Sequence, residues 1–255
     1  RTACILVANS GDTGKAALDG FHDVPGTKIM VYYPVDGVSP MQKLQMATQE
    51  GANVEVIAIH GNFDDAQSAV KRIFTDDETR AQLDRDGMML SSANSINWGR
   101  LAPQIAYYVS AYCDMVKAGT IRQGDKINVC VPTGNFGNIL AAYIAKQMGL
   151  PVNKFICASN RNNVLTDFFK KDGEYNRNRD FYTTTSPSMD ILISSNLERL
   201  LFFASDFDDR MVTELMAKLN GEGSYKVASD VFAKIAADFD AGCCDDEHAA
   251  ETIHR

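Results

Sequence analysis

Two glycine turns and one donor cluster hold the residues in this chain that could do chemistry. Val131-Pro132-Thr133-Gly134-Asn135-Phe136-Gly137-Asn138 follows a short apolar strand and opens directly into an alanine-rich helix. A strand that turns abruptly into a helix leaves several backbone N–H groups without helical partners. With the positive end of the helix dipole, those donors form a site for a phosphate. Gly134 and Gly137 let the backbone approach an anion and adopt positive φ, while Asn135 and Asn138 tolerate left-handed backbone and add side-chain donors. The pattern is neither Gly-x-Gly-x-x-Gly nor a Walker loop, and a tight turn without a ligand fits it equally well. A second turn, Asn9-Ser10-Gly11-Asp12-Thr13-Gly14-Lys15, follows a strand at 3–8. It fails the Walker pattern, because Asn stands at position 9 and Ala16 follows the lysine. It is still an anion-cradling turn, with hydroxyls from Ser10 and Thr13. Two such turns point to a ligand with two anionic groups. Ser95, Asn97 and Arg100 place a hydroxyl, an amide and a guanidinium within six residues at a helix start, a set suited to a second phosphate. The alternative there is helix capping by Ser95 beside an ordinary surface arginine.

The elements that must position these groups alternate. Segments 3–8, 28–33, 53–59, 127–131 and 154–158 read as strands, and the apolar run at 28–33 is continuous, as a parallel sheet buried on both faces requires. Helices are expected at 16–21, from Ser39-Pro40 to Gly51 and from Asn62 onward as one long helix. A further helix runs from Trp98 to about 119, interrupted by Pro103, and others cover 191–204 and 208–220. Residues 170–182 read as a surface loop, and two amphipathic helical pieces follow 226. Strand–helix alternation at this spacing implies an α/β fold with helices on both faces of parallel sheets. The expected division is a smaller α/β domain at 1–97, with the first glycine turn, and a larger one at 98–255, with the second. With 255 residues, 45% apolar and 23% charged, the composition is that of a globular protein. A net charge of −8 argues against a nucleic-acid partner, which needs a basic face. No apolar run of about 18 residues occurs, so no membrane partner is expected. The six cysteines lack zinc-like spacing and read as buried reduced thiols, so no metal is expected and a cytoplasmic location is. His22, His60, His248 and His254 stand apart from any acid or nucleophile pattern.

Five segments, taken together, resemble the signatures of bacterial threonine synthase. They are Ser10-Gly11-Asp12-Thr13-Gly14-Lys15-Ala16-Ala17, Gly37-Val38-Ser39-Pro40-Met41-Gln42-Lys43-Leu44-Gln45-Met46, Ser91-Ser92-Ala93-Asn94-Ser95-Ile96-Asn97-Trp98-Gly99-Arg100, the 131–138 loop, and Thr185-Ser186-Pro187-Ser188-Met189-Asp190-Ile191-Leu192. Order and spacing match from about residue 3 to at least 225. The resemblance implies the two-domain type II pyridoxal phosphate (PLP) fold shared with the tryptophan synthase β chain. It also implies PLP-dependent conversion of O-phosphohomoserine and water into threonine and phosphate. By the same resemblance Gly134, Asn135, Phe136, Gly137 and Asn138 hold the PLP phosphate, and Asp12 stands beside the cofactor's phenolic oxygen, or else caps its helix. Ser10 and Thr13 face the substrate, and Ser95, Asn97 and Arg100 take the substrate's phosphate. Lys15 either adds charge there or is solvated on its helix. Ser186 and Asp190 have no chemistry to assign, and Ser186-Pro187 reads as a helix start.

One departure matters. In the family the Schiff-base lysine lies upstream of the Ser-Gly-Asp-Thr-Gly turn in a Phe-Lys-Asp context, and that tripeptide occurs nowhere here; Phe169-Lys170 is followed by Lys171. The C-terminal family region that meets the pyridine nitrogen has no counterpart either. The expectation is therefore a central portion of a threonine synthase, truncated at both ends, lacking the catalytic lysine and inactive alone. Two other readings stay open: another type II PLP lyase or β-replacement enzyme, and a non-catalytic phosphate-binding α/β module. The oligomeric state is not readable from these residues.

Overall fold

A computed structural model describes residues 1–9 and 12–255, with the side chain of Asp12 outside the description. The chain forms two compact units, Arg1–Asn97 and Trp98–Arg255. In the first, β1 (Thr2–Ala8), α1 (Asp12–Phe21), β2 (Thr27–Pro34), α2 (Pro40–Ala47), β3 (Val54–Ile59), α3 (Phe63–Thr75), α4 (Asp77–Arg85) and β4 (Met88–Ser92) follow in order. The sheet runs β3-β2-β1-β4, with every pairing parallel. All residues of β1 from Cys4 to Ala8 are buried, as a central strand covered on both faces must be. Ile5, Val7, Leu18, Ile29, Val31 and Met46 form the core of this unit. Ser39 and Gln42 make a reciprocal capping box that starts α2, with Pro40 at the first helical position, so the expected start is observed.

Two features differ from the reading of the sequence. The single helix expected after Asn62 is two helices, because Asp76 leaves the helical conformation (φ −81°, ψ 109°) and caps α4 through Thr79 N–H. Residues 88–92 form an additional parallel strand beside β1; a five-residue stretch ending in two serines carries little period-two signal.

Asn9 closes the turn after β1. Its side chain is fully buried, its Oδ1 accepts from Gly14 N–H at 2.8 Å, and its Nδ2 donates to Met46 Sδ at 2.8 Å. A Cβ on Gly14 would lie 2.6 Å from Asn9 Cγ and 2.8 Å from Met46 Sδ. Alanine is the better helix former, yet Gly14→Ala should lower the unfolding free energy by about 1–3 kcal/mol through this overlap. A denaturation midpoint equal to or above the wild type would contradict the packing described.

The second unit contains α5 (Trp98–Leu101), α6 (Gln104–Lys117), β5 (Ile127–Pro132), α7 (Gly137–Gln147), β6 (Val152–Ser159), α8 (Val164–Lys170) and β7 (Glu174–Asn176). After a 3-10 turn at Pro187–Met189 come α9 (Leu197–Ala204), α10 (Asp209–Glu222), β8 (Ser224–Lys226), α11 (Ser229–Asp238), β9 (Phe239–Cys243) and α12 (Asp246–His254). Its sheet is β5-β6-β9, all parallel, with β7 and β8 as a separate antiparallel ribbon. The core is aromatic: the ring of Phe239 lies 5.1 Å from that of Phe155, 5.4 Å from Phe169 and 5.8 Å from Phe136.

Three further corrections fall here. Strand β9 occupies a region read as helix, since Phe-Asp-Ala-Gly-Cys has few β-branched residues and owes its conformation to pairing with β6. The helix expected at 191–204 begins only at Leu197, because 194–196 are held in an irregular conformation by the loop after β5. The loop expected at 170–182 contains the short strand β7. The cysteines also divide: Cys4 and Cys157 are buried, but Cys113, Cys130, Cys243 and Cys244 are exposed. Among the described residues no helix is long and apolar enough to cross a membrane.

Candidate functional site

The loop between β5 and α7 is held from three sides. Pro132 ends β5, an edge strand where a missing N–H costs no ladder bond. Thr133 donates its N–H to Ala158 O at 3.0 Å and its hydroxyl to Asn138 Oδ1 at 2.6 Å. The Asn138 side chain also accepts from Ile139 N–H at 2.9 Å and donates to Pro132 O at 2.9 Å. That amide therefore knots the loop to itself, rather than standing free as a donor. Tyr108 donates its hydroxyl to Asn138 O at 2.8 Å, and burial pushes the phenol up to about 12.

The third anchor is the segment 194–196. Ser194 Oγ donates to Gly134 O at 2.7 Å, Asn196 N–H and Nδ2 donate to Asn135 O at 3.0 and 2.9 Å, and Ser195 Oγ donates to Asn135 Oδ1 at 3.3 Å. In a planar trans peptide the N–H points opposite to the C=O. Drawing the Gly134 and Asn135 carbonyls onto this segment therefore turns the Asn135 and Phe136 N–H groups away from it. Among the described residues, no acceptor takes the N–H groups of residues 134–138. Five consecutive amide donors thus stand at the N-terminus of the 11-residue helix α7.

The glycines and asparagines divide their roles differently from expectation. The left-handed residue is Phe136, at φ 65°, and its ring is completely buried in the aromatic core. It can offer a ligand only its backbone. Gly134 is constrained from behind: a Cβ there would lie 3.0 Å from Ser188 O and 3.3 Å from Met189 Cα. Close packing of the 3-10 turn thus favours glycine at 134, independently of any anion, since a side chain there would have to push the turn back by a few tenths of an ångström. Gly137 is the first residue of α7.

Asp190 has a structural task that the sequence did not reveal. It is buried, and it accepts from Asn160 Nδ2 at 2.7 Å, Asn162 Nδ2 at 2.9 Å, Thr184 Oγ1 at 2.7 Å and Thr184 N–H at 2.9 Å. Four neutral donors satisfy a buried carboxylate, and the network seats the turn that packs on Gly134. Ser186, read as a helix start, precedes the 3-10 turn without a side-chain cap. The run Ser194-Ser195-Asn196 was the available signal for the loop's anchor, but its apolar flanks masked it as helix.

The remaining candidates lie as follows. Ser10 is outside the described residues, and Asp12 opens α1. Thr13 is half-buried in the first turn of α1. Lys15 Nζ donates to Asp19 at 3.1 Å and to Gln49 Oε1 at 2.5 Å. Ser95 is half-buried in the turn after β4, and Asn97 donates its Nδ2 to Ser92 O at 2.7 Å. Arg100 lies on α5, exposed, and no carboxylate pairs with it among the described residues.

No family model matches the chain. Human threonine synthase-like 1 is 46% identical over 98% of the chain, which covers 34% of that protein. The threonine synthase of Pseudomonas aeruginosa is 39% identical over 98% of the chain and 50% of its own length. Among solved structures, the PLP-bound threonine synthase of Brucella melitensis superposes with a TM-score of 0.80 at 40% identity, covering 96% of this chain and 50% of that one. The yeast threonine synthase superposes with a TM-score of 0.81 at 35% identity, covering 99% and 49%. The parallel-sheet α/β fold described above is therefore the fold of those PLP enzymes. On identity and fold together, this chain is a homologue of the threonine synthases along nearly all of its own length and spans about half of theirs.

Proposed function

We propose that this chain forms the phosphate-holding portion of a PLP-dependent lyase that converts O-phosphohomoserine and water into threonine and phosphate. The observation that carries this reading is the row of five amide N–H groups at residues 134–138, opening onto the start of α7. An oxyanion there receives several short donors and the positive end of the helix dipole. Phe136 fits the role because its buried ring fixes the backbone that must face the anion. Asn138 positions the loop through its side chain and offers its backbone N–H. PLP, when bound, supplies the electron sink that stabilises a carbanion beside the substrate's amino group.

Arg100 is the residue we assign to the substrate's phosphate in the larger unit, since its guanidinium is exposed and free of carboxylates among the described residues. In the smaller unit, Ser10, Thr13, Ser95 and Asn97 are assigned to the substrate on their motifs, and Asp12 to the cofactor's neighbourhood. Lys15 is committed to Asp19 and Gln49, so we give it no phosphate. Lys146 and Lys170 pair with Asp238 and Asp240 at 2.7 and 2.6 Å, and no lysine here is assigned to carry the cofactor. The chain by itself is not expected to turn over substrate.

A second reading has a specific observation behind it. Identity to human threonine synthase-like 1, at 46%, exceeds the 36–39% found with the yeast and Pseudomonas aeruginosa threonine synthases. The same phosphate loop would then serve a related PLP-dependent reaction, and a substrate panel separates the two.

Gly137→Val tests the cofactor assignment. A branched side chain at the helix mouth obstructs the anion and costs at least one charge-assisted hydrogen bond, so PLP affinity should fall roughly 10-fold or more. Fluorescence titration with PLP reads this directly. Unchanged affinity would mean that the loop is only a turn.

A further inference from the structure

At the C-terminal edge of the β5-β6-β9 sheet, a surface cleft of about 420 Å³ is lined by Arg161, Asn163, Cys243, Cys244, Asp245 and His248. None of these residues belongs to the phosphate loop. Both cysteines are exposed, and Asn163 Nδ2 donates to Cys243 Sγ at 3.7 Å. The orientation of that amide is set from its other end. Asn163 Oδ1 accepts from Arg179 Nη1 at 3.0 Å, and Arg179 Nη2 is paired with Asp167 at 3.0 Å. The NH2 group must therefore face the sulfur.

The cleft also carries a guanidinium and an imidazole. Arg161 stacks on the Tyr182 ring at 3.8 Å, which restrains its guanidinium. His248 Nδ1 lies 2.6 Å from Asp245 Oδ1, and that carboxylate raises the imidazole above its ordinary value, favouring the charged form. Asp245 is itself occupied by His248, through both the ring and the backbone N–H. The other thiols differ. Burial pushes Cys157 up to about 12 and raises Cys4. Cys113 on α6 and Cys130 on β5 are exposed, but among the described residues neither sulfur accepts a hydrogen bond.

We propose that Cys243 is a thiol-exchange site for a small anionic disulfide. The Cys243 sulfur, its proton lost to solvent, attacks one sulfur of the disulfide. A new S–S bond forms, the old one breaks, and the departing thiolate keeps the electron pair and takes up a proton. The disulfide is the only oxidant required. The Asn163 donor faces the reacting sulfur, while Arg161 and His248 meet the carboxylates of the incoming molecule.

The test uses the full chain with oxidised glutathione, following each cysteine by peptide mass spectrometry. Cys243 should react roughly 10-fold faster than Cys113 or Cys130, and Cys244→Ser should leave that rate unchanged. Asn163→Ala removes one hydrogen bond to the sulfur and should slow Cys243 by roughly 2- to 10-fold. Arg161→Ala should lower the preference of Cys243 for oxidised glutathione over neutral 2-hydroxyethyl disulfide. A Cys243 rate at or below those of Cys113 and Cys130 overturns the proposal, and that comparison needs no variant. So does labelling at Cys244 with Cys243 inert, or an Asn163→Ala protein, folded by its thermal melt, that reacts at the wild-type rate. Equal reagent preference at Cys243 and Cys130 overturns the choice of an anionic ligand.

Discussion

Phe136→Ala should lower the stability of the larger unit by about 3–5 kcal/mol, the usual cost of emptying a fully buried aromatic site. The ring of Phe136 has no exposed surface and lies 5.8 Å from Phe239 and 6.2 Å from Phe169. No polar group is released by the truncation, so the loss is one of packing and transfer. The backbone adds a separate cost, because φ is 65° at this position and alanine is as poorly suited to it as phenylalanine. Phe136→Gly separates the two contributions. It loses the same ring but relieves the left-handed backbone, so it should be no less stable than Phe136→Ala, despite the greater freedom of glycine in the unfolded chain. Urea denaturation followed by circular dichroism measures both. A loss below about 1 kcal/mol for Phe136→Ala would contradict the burial that orders the phosphate loop.

The second large effect concerns turnover. If Arg100 binds the phosphate that leaves the substrate, as proposed above, Arg100→Ala in a catalytically competent protein containing this chain should cost about 1.5–3 kcal/mol, or roughly 10- to 150-fold in kcat/KM. Arg100→Lys keeps the charge and loses the planar fork, so it should fall between Arg100→Ala and the wild type. PLP affinity should remain that of the wild type in both, because the cofactor's phosphate is assigned to residues 134–138. Loss of PLP in Arg100→Ala, or an unchanged kcat/KM, would remove the assignment of two separate phosphates.

Much of the architecture was legible because its signals are local. The apolar run that became β1 is continuous and buried, as a strand covered on both faces is. Strands β3 and β5 are interrupted by Glu55 and Asn128 and stay partly exposed, yet keep enough apolar residues to read as strands, and Ser39-Pro40 announced α2 through capping chemistry. What escaped depends on distant partners. Strand β9 has a sequence that only its pairing with β6 makes a strand. Residues 191–196 have the apolar pattern of a helix, but Ser194, Ser195 and Asn196 are more stably used on the carbonyls and side chain of Gly134 and Asn135. In the candidate site, the position of the loop could be read, but the division of labour inside it could not. Phe136 takes the left-handed conformation because its ring is anchored in the core, a constraint invisible in Gly-Asn-Phe-Gly-Asn. Asp190 looked idle because its four donors come from Asn160, Asn162 and Thr184, up to 30 residues away in sequence.

The most direct measurement follows the backbone amide resonances of Gly134, Asn135, Phe136, Gly137 and Asn138 in the isotope-labelled protein during titration with PLP and, separately, with pyridoxal, which lacks the phosphate. Hydrogen bonding to a dianion shifts amide protons strongly, and the five N–H groups have no other acceptor among the described residues. All five should move with PLP and stay nearly still with pyridoxal. Equal responses to the two compounds, or shifts confined to other residues, would contradict the phosphate cradle.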